Sequence, residues 1–300
     1  MSYVVEAKRL TKSFGKVKAV NEVSFALEEG KIYGLLGRNG AGKTTIMHMI
    51  AAQQFLTSGE ISVFGERPYE NDRVLERVCF IKESQKYPDH YRVDDVLKFA
   101  ESRFKGWDRE FASRLLDDFR LPLDRKMKKL SRGMLSSVGI IVGLASRAPL
   151  TIFDEPYIGL DAVARSLFYD RLLEDYAEFP RTIVLSTHLI DEVSRLLEHI
   201  LLIDGGRLLL DEDAERLRGQ AYKVVGPAAK VAEFSIGKEK IGSENMGGIA
   251  SATFYSGLET KERRRAEALG LEITPVTLQQ LIVHLTSGGS KTPMNEEAAL

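Results

Sequence analysis

The spacing of apolar residues predicts an α/β fold: a mostly parallel sheet covered on both faces, preceded by an antiparallel β subdomain, interrupted by a helical insertion and followed by a small α+β appendage. Three observations carry that prediction. Short continuous apolar runs at 32–36, 150–153, 182–185 and 200–203 read as buried strands, and helical segments follow the first three. A glycine-rich loop joins the first of these runs to a helix over 44–52, giving strand, loop and helix in order. Between 93 and 145 the apolar period lengthens to three or four, as in Val93, Val96, Leu97, Ala100 and Phe104, which marks helices.

Before residue 35, β-like runs alternate with turn residues; the run at 23–27, followed by Glu28, Glu29 and Gly30, has the pattern of antiparallel strands. Residues 1–218 are assigned to the main domain, with the helical insertion at about 90–146. After Gly219 the composition changes. Gly226, Gly237, Gly242, Gly247 and Gly248 punctuate short apolar runs up to a helix at 277–285, so 219–286 is assigned to the appendage. Residues 287–300, SGGSKTPMNEEAAL, are polar and aperiodic and read as a disordered tail.

Composition bounds the function. With 44% apolar and 28% charged residues, the chain is neither disordered nor fibrous. Apolar stretches such as VGIIVGLA at 138–145 fall far short of the roughly 18 to 20 residues a membrane-spanning helix needs. The 42 basic and 43 acidic side chains leave a net charge of −1, so no nucleic acid partner is expected. The one cysteine, Cys79 in VCFI, reads as a reduced, buried thiol, and the N-terminus lacks the apolar core of a secretory signal; a cytoplasmic location is expected.

The strongest motif is GRNGAGKT at 37–44, which fits G-x-x-x-x-G-K-[ST] in its required context after a strand and before a helix, and so predicts a RecA-like P-loop NTPase core. Gly37, Gly40 and Gly42 let backbone N–H groups turn toward an anion, and the helix beginning near Lys43 adds its positive dipole end. Asn39, in the same loop, is grouped with them as nucleotide-binding. Lys43 is expected to bridge the β- and γ-phosphates, Thr44 to ligate Mg²⁺ and Thr45 to contact phosphate. A second constellation is LTIFDEP at 150–156, an apolar strand ending in two acids at the edge where parallel sheets bind ligands. There Asp154 is expected to hold Mg²⁺, and Glu155 to orient and deprotonate the attacking water. A third is STHL at 186–189, which brings His188 to the same edge as a donor to the γ-phosphate. His48, His90, His199 and His284 lack such placement and read as structural or exposed.

Over about residues 3–215 these motifs resemble the ATP-binding cassette (ABC) ATPases. The segment that separates that family from other P-loop proteins, usually LSGGQ, has its counterpart in LSRGM at 130–134, where Ser131 and Gly133 match and Arg132 and Met134 depart. The resemblance implies that Ser131 and Gly133 contact the γ-phosphate of ATP on an opposing subunit, so that two chains sandwich two nucleotides head to tail. Ser131 also reads as the N-cap of a helix over 134–145. By the same resemblance Phe14 stacks on adenine, Asp161 in IGLD belongs to the loop that crosses the dimer interface, and either Glu83 or Gln85 in FIKESQKYP is the metal-side loop residue. Glu83 is the departure, an acid where the family carries an amide.

The small appendage with its segment PVTLQQLIVHLT resembles the ATP-binding subunits of bacterial ABC-2-type exporters. That likeness implies ATP and Mg²⁺ as ligands, a second ATPase subunit in a homodimer or heterodimer, a separate transmembrane permease, and a peripheral position on the inner face of the membrane. The competing reading is a soluble ABC ATPase working as a mechanical switch on a ribosomal or DNA-linked partner. Relatives of that kind usually carry two cassettes or a long coiled coil, whereas this chain has one P-loop and no sustained heptads. Retention of Glu155 and His188 argues against a nucleotide binder without turnover, and the basic run at 125–132 reads as a solvated face.

Overall fold

A computed structural model describes residues 2–82 and 85–287, so Glu83 and nearly all of the expected tail lie outside the described residues. The chain runs β1 (Tyr3–Phe14), β2 (Val17–Glu28), β3 (Ile32–Leu36), α1 (Lys43–Ile50), β4 (Ser58–Val63), α2 (Asp72–Leu75), β5 (Val78–Ile81), α3 (Val93–Arg103), α4 (Arg109–Asp118) and α5 (Arg132–Ala145). It continues through β6 (Leu150–Asp154), α6 (Ala162–Glu178), β7 (Thr182–Thr187), α7 (Ile190–Val193), β8 (His199–Asp204) and β9 (Arg207–Asp213). Then come α8 (Ala214–Leu217), β10 (Ala221–Pro227), α9 (Ala228–Phe234), β11 (Lys240–Met246), β12 (Ile249–Tyr255), α10 (Thr260–Ala268), β13 (Glu272–Pro275) and α11 (Leu278–Ser287). Internal packing divides these into two units. One runs to His188 and resumes over 196–211; the other takes 189–195 and the chain from Glu212 onward.

In the first unit, β2, β1 and β4 form the antiparallel sheet expected at the N-terminus, and the main sheet has the order β5-β6-β7-β3-β8-β9. The pairs β5 with β6, β6 with β7, β7 with β3 and β3 with β8 are all parallel. Every residue of β3, β6 and β7 is buried, which is why these strands read as continuous apolar runs: helices cover both faces and no alternation remains. VCFI, legible in the sequence only as an apolar run around Cys79, forms β5 and pairs in parallel with β6, Val78 opposite Leu150.

The helical insertion is α3, α4, a single 3-10 turn at Met127–Lys129, and α5. Asp108 caps α4 by accepting from the Phe111 N–H at 2.8 Å. Helix α5 begins at Arg132, two residues before the expected start, because Ser131 caps it and accepts from the Met134 N–H at 3.2 Å. Its VGIIVGLA stretch is wholly buried in the unit, which accounts for a helix apolar on every side. Arg147 ties the insertion to the sheet layer, bridging Asp108 at 2.8 Å and Asp175 of α6 at 3.0 Å while lying over the Phe179 ring.

The second unit has the α+β character expected of the appendage. Its strands order as β11-β12-β10-β13, all antiparallel, with α9 between β10 and β11 and α10 between β12 and β13. That βαββαβ chain order is the split βαβ, or ferredoxin-like, arrangement. Tyr222, Val224, Phe234, Phe254 and Ala266 make its core. Among the described residues, no helix is long and apolar enough to cross a membrane.

Candidate functional site

The parallel sheet delivers the ends of three adjacent strands, β6, β7 and β3, to one edge, and each ends in a predicted site segment. Beyond β3 the loop turns at Gly37, whose φ is +147°; a Cβ there would stand 2.1 Å from the Ile203 carbonyl oxygen, so only glycine fits. Gly40 and Gly42 follow with φ of +80° and +111°, Asn39 is exposed just before Gly40, and Gly42 forms the N-cap of α1 without any side-chain cap. An uncapped helix N-terminus leaves its backbone N–H groups available to an anion.

Lys43 is buried. Its ammonium donates to the Gly37 carbonyl at 2.8 Å and the Arg38 carbonyl at 3.2 Å, which curls the side chain back beneath the loop. Burial lowers its pKa, while the Asp154 and Glu155 carboxylates act in the opposite sense. Thr44 is exposed, and its hydroxyl donates to Asp154 Oδ2 at 2.8 Å; Thr45 is half-buried beside it. Asp154 is only 3% exposed, and its Oδ1 accepts from the Ser186 hydroxyl at 2.6 Å. That same hydroxyl accepts the Glu155 N–H at 3.1 Å, so one serine fixes two successive acids.

Glu155 has φ of +49°, uncommon for a residue with a Cβ, and it turns the chain sharply at the end of β6. Its Oε2 meets His188 Nδ1 at 2.7 Å and the Tyr157 hydroxyl at closer range. Because an ionised carboxylate only accepts, the imidazole proton facing it sits on Nδ1. Burial and the adjacent Glu155 raise the Tyr157 pKa, so the phenol keeps its proton. The Glu155 side chain is 10% exposed and that of His188 52%, which places the acid inside and the imidazole at the rim.

Hydrogen bonds link Thr44, Asp154, Ser186, Glu155 and His188 into one group, and Lys43 feels the charges of both acids without bonding to them. Phe14 stands apart from that network, half-exposed at the end of β1, with Lys12 Nζ 5.0 Å from its ring centroid. Ser131 and Gly133 lie at the start of α5, where a Cβ on Gly133 would come within 2.5 Å of the Gly159 carbonyl. Asp161 caps α6 through the Ala164 N–H at 2.8 Å. Among the described residues, Gln85 Oε1 is buried and has no hydrogen-bond partner. His48 lies edge-on to Phe80, His90 against Tyr91, His199 pairs with Asp211 and His284 packs on Gly242.

Sequence reasoning missed Ser186 and Tyr157. Ser186 stands in the STHL segment, but its partnership depends on the register that sets Asp154 opposite Ser186 across two strands. Tyr157 follows Glu155 by two residues, and only the turn brings its hydroxyl back onto that carboxylate.

A P-loop closing on a helix N-terminus, with paired acids at the end of a strand two places along the same sheet, defines a nucleotide-hydrolysing P-loop protein of the RecA-like class. The family model for ABC transporters matches residues 20–158. MJ1023 of Methanocaldococcus jannaschii, an ABC transporter ATP-binding protein, is 34% identical over 68% of this chain and 75% of its own length. The bacitracin transport ATP-binding protein BcrA of Enterococcus faecalis is 30% identical over 81% of this chain and 78% of its own. YtrB of Bacillus subtilis, another ABC transporter ATP-binding protein, is 24% identical but spans 94% of this chain and 95% of its own. Among solved structures, an ATP-binding subunit of an ABC transporter superposes with a TM-score of 0.65 at 26% identity, over 71% of this chain and 91% of that one. The chain belongs to the ABC transporter family: it is an ATP-binding subunit and an ATPase.

Proposed function

We propose that this ATPase drives export through a separate transmembrane permease, working as one half of an ATPase pair at the inner face of the membrane. The observation that carries the reading is the convergence of Thr44 at the start of α1 with Asp154, Glu155 and His188 beyond β6 and β7, joined by hydrogen bonds of 2.6 to 3.1 Å: Thr44 to Asp154, Ser186 to both acids, and His188 to Glu155. Its support outside the chain comes from relatives whose names state the task. BcrA is a bacitracin transport protein, and a relative from Cupriavidus metallidurans, 30% identical, is a Nod factor export protein. A cassette of this fold, MJ0796, has been solved as a dimer bound to ADP and phosphate.

In this reading Gly37, Asn39, Gly40 and Gly42 wrap the phosphate chain with backbone N–H groups. Lys43 turns from its loop carbonyls to the β- and γ-phosphates, and Thr45 adds a further contact. Phe14, half-exposed, offers its face to adenine. The oxygens of Thr44 and Asp154, 2.8 Å apart, form a hard donor pair suited to Mg²⁺, which usually takes one or two protein oxygens beside phosphates and water. When bound there, the ion would supply charge neutralisation for the transferring phosphoryl group. Either Glu83 or Gln85 takes the metal-side loop role; Gln85 is supported by its buried amide oxygen, which has no hydrogen-bond partner among the described residues. Glu155 then accepts the proton of the attacking water, and His188 holds that water and the γ-phosphate from the rim. Ser131 and Gly133 present a second helix N-terminus to the nucleotide of the opposing subunit. Residues 1–218 form the ATPase domain and 219–286 an accessory domain.

The test is partner identity. Detergent extraction of membranes containing the tagged chain should recover a stoichiometric multi-spanning membrane protein whose presence alters ATP turnover. Recovery with ribosomes instead, and none with membranes, would overturn the export reading.

A further inference from the structure

We propose that Tyr157 is the positioning residue of the hydrolytic pair, its phenol oxygen locking the Glu155 carboxylate and the His188 backbone to the end of β7. The proposal rests on Glu155 being the general base, as argued above. Tyr157 is 4% exposed, so the phenol is held by packing rather than free to turn. Four polar atoms surround its oxygen: Glu155 Oε2, Thr187 Oγ1 at 2.8 Å, the His188 backbone N at 3.0 Å and His188 Nδ1 at 3.2 Å.

The donors can be assigned from chemistry alone. The carboxylate only accepts, so the phenol O–H donates to Glu155. Its lone pairs then accept the Thr187 hydroxyl and the His188 N–H. The His188 Nδ1–H goes chiefly to Glu155 Oε2, at 2.7 Å, leaning toward the phenol oxygen. Oε2 thus receives two donors and is fixed, which leaves Oε1 to take the water's proton. This restraint is needed where it occurs. Glu155 sits on a left-handed turn residue and carries three rotatable side-chain bonds, and general-base catalysis loses rate steeply when the base is displaced by about 1 Å. A rigid phenol, anchored to the neighbouring strand, supplies that precision.

The test is Tyr157→Phe in the full chain, with steady-state hydrolysis, binding of a non-hydrolysable ATP analogue and thermal melting measured together. The ring packing is kept and only the oxygen is lost. We expect kcat to fall about 10- to 100-fold, while KM for ATP and the analogue's Kd change less than about twofold, because none of the four polar atoms around the phenol oxygen belongs to the phosphate-binding loop. Thr187→Val, which removes one hydroxyl partner of the same oxygen, should lower kcat less, and Thr187→Ser should restore it. The double variant Tyr157→Phe with Thr187→Val should match Tyr157→Phe alone, since both act through one atom. Equal losses in kcat and analogue affinity, or a wild-type or raised kcat in a folded Tyr157→Phe, would overturn the proposal. If Tyr157→Phe does not fold, the Thr187 pair decides: a kcat loss reversed by serine supports it, and wild-type kcat in Thr187→Val refutes it. Glu155→Gln separates the two layers: an inactive Glu155→Gln beside a fully active Tyr157→Phe defeats the positioning role alone, while an active Glu155→Gln defeats the general base itself.

Discussion

Ser186→Ala tests whether the geometry around the paired acids carries the energy its hydrogen bonds suggest. The hydroxyl donates to Asp154 Oδ1 at 2.6 Å and accepts the Glu155 N–H at 3.1 Å, and both acids are buried. Losing a hydrogen bond to a buried carboxylate costs about 1.5 to 3 kcal/mol, and the stranded N–H adds about 1 kcal/mol. Asp154 keeps its bond from Thr44, and the smaller side chain opens no cavity of consequence, so the total is about 2 to 4 kcal/mol. For a domain of this size that is a fall in Tm on the order of 10 °C. Activity should drop as well, because Asp154 and Glu155 lose a common anchor. The matched control is Ser251→Ala, which deletes a hydroxyl bonded to Glu244, a largely exposed carboxylate; it should cost less than about 1 kcal/mol. Differential scanning calorimetry of both variants, with ATP turnover, makes the comparison. A Ser186→Ala protein as stable as Ser251→Ala and fully active would refute the reasoning.

Gly37→Ala should abolish ATP binding and lower stability by at least about 2 kcal/mol, because the added Cβ meets the Ile203 carbonyl in a backbone conformation that alanine avoids. Fluorescent-nucleotide titration and a melt check it, and normal binding would remove the loop from the site. Cys79 should be inert in the native chain: burial pushes its thiol up to about 12, which leaves a thiolate fraction of about one in ten thousand at pH 8. A colorimetric disulfide reagent should titrate no thiol in buffer and one equivalent in guanidinium; rapid native labelling would show β5 to be less buried than described.

The catalytic edge was legible because its signals are local. GRNGAGKT carries its glycines, lysine and threonine within one turn of chain, and the buried strands beneath it appear as unbroken apolar runs. β5 was not read as a strand because four apolar residues fit a strand or a buried helix equally well until a neighbour pairs with them. Ser186 and Tyr157 were invisible for a related reason, since their hydroxyls matter only once β6 and β7 are in register and the turn after Glu155 has closed. The second unit was read as α+β from its glycine spacing, but its strand order follows from which strands pair across α9 and α10, and nothing local encodes that.

In the proposed mechanism Glu155 removes the water's proton at a nucleotide held between two subunits. The decisive measurement is to incubate Glu155→Gln with ATP and Mg²⁺, separate the product by size and identify the nucleotide in each peak. The amide keeps the shape of the carboxylate and cannot take a proton, so a dimer-sized species carrying intact ATP should appear. A monomer, or a dimer holding ADP formed at the wild-type rate, would contradict it.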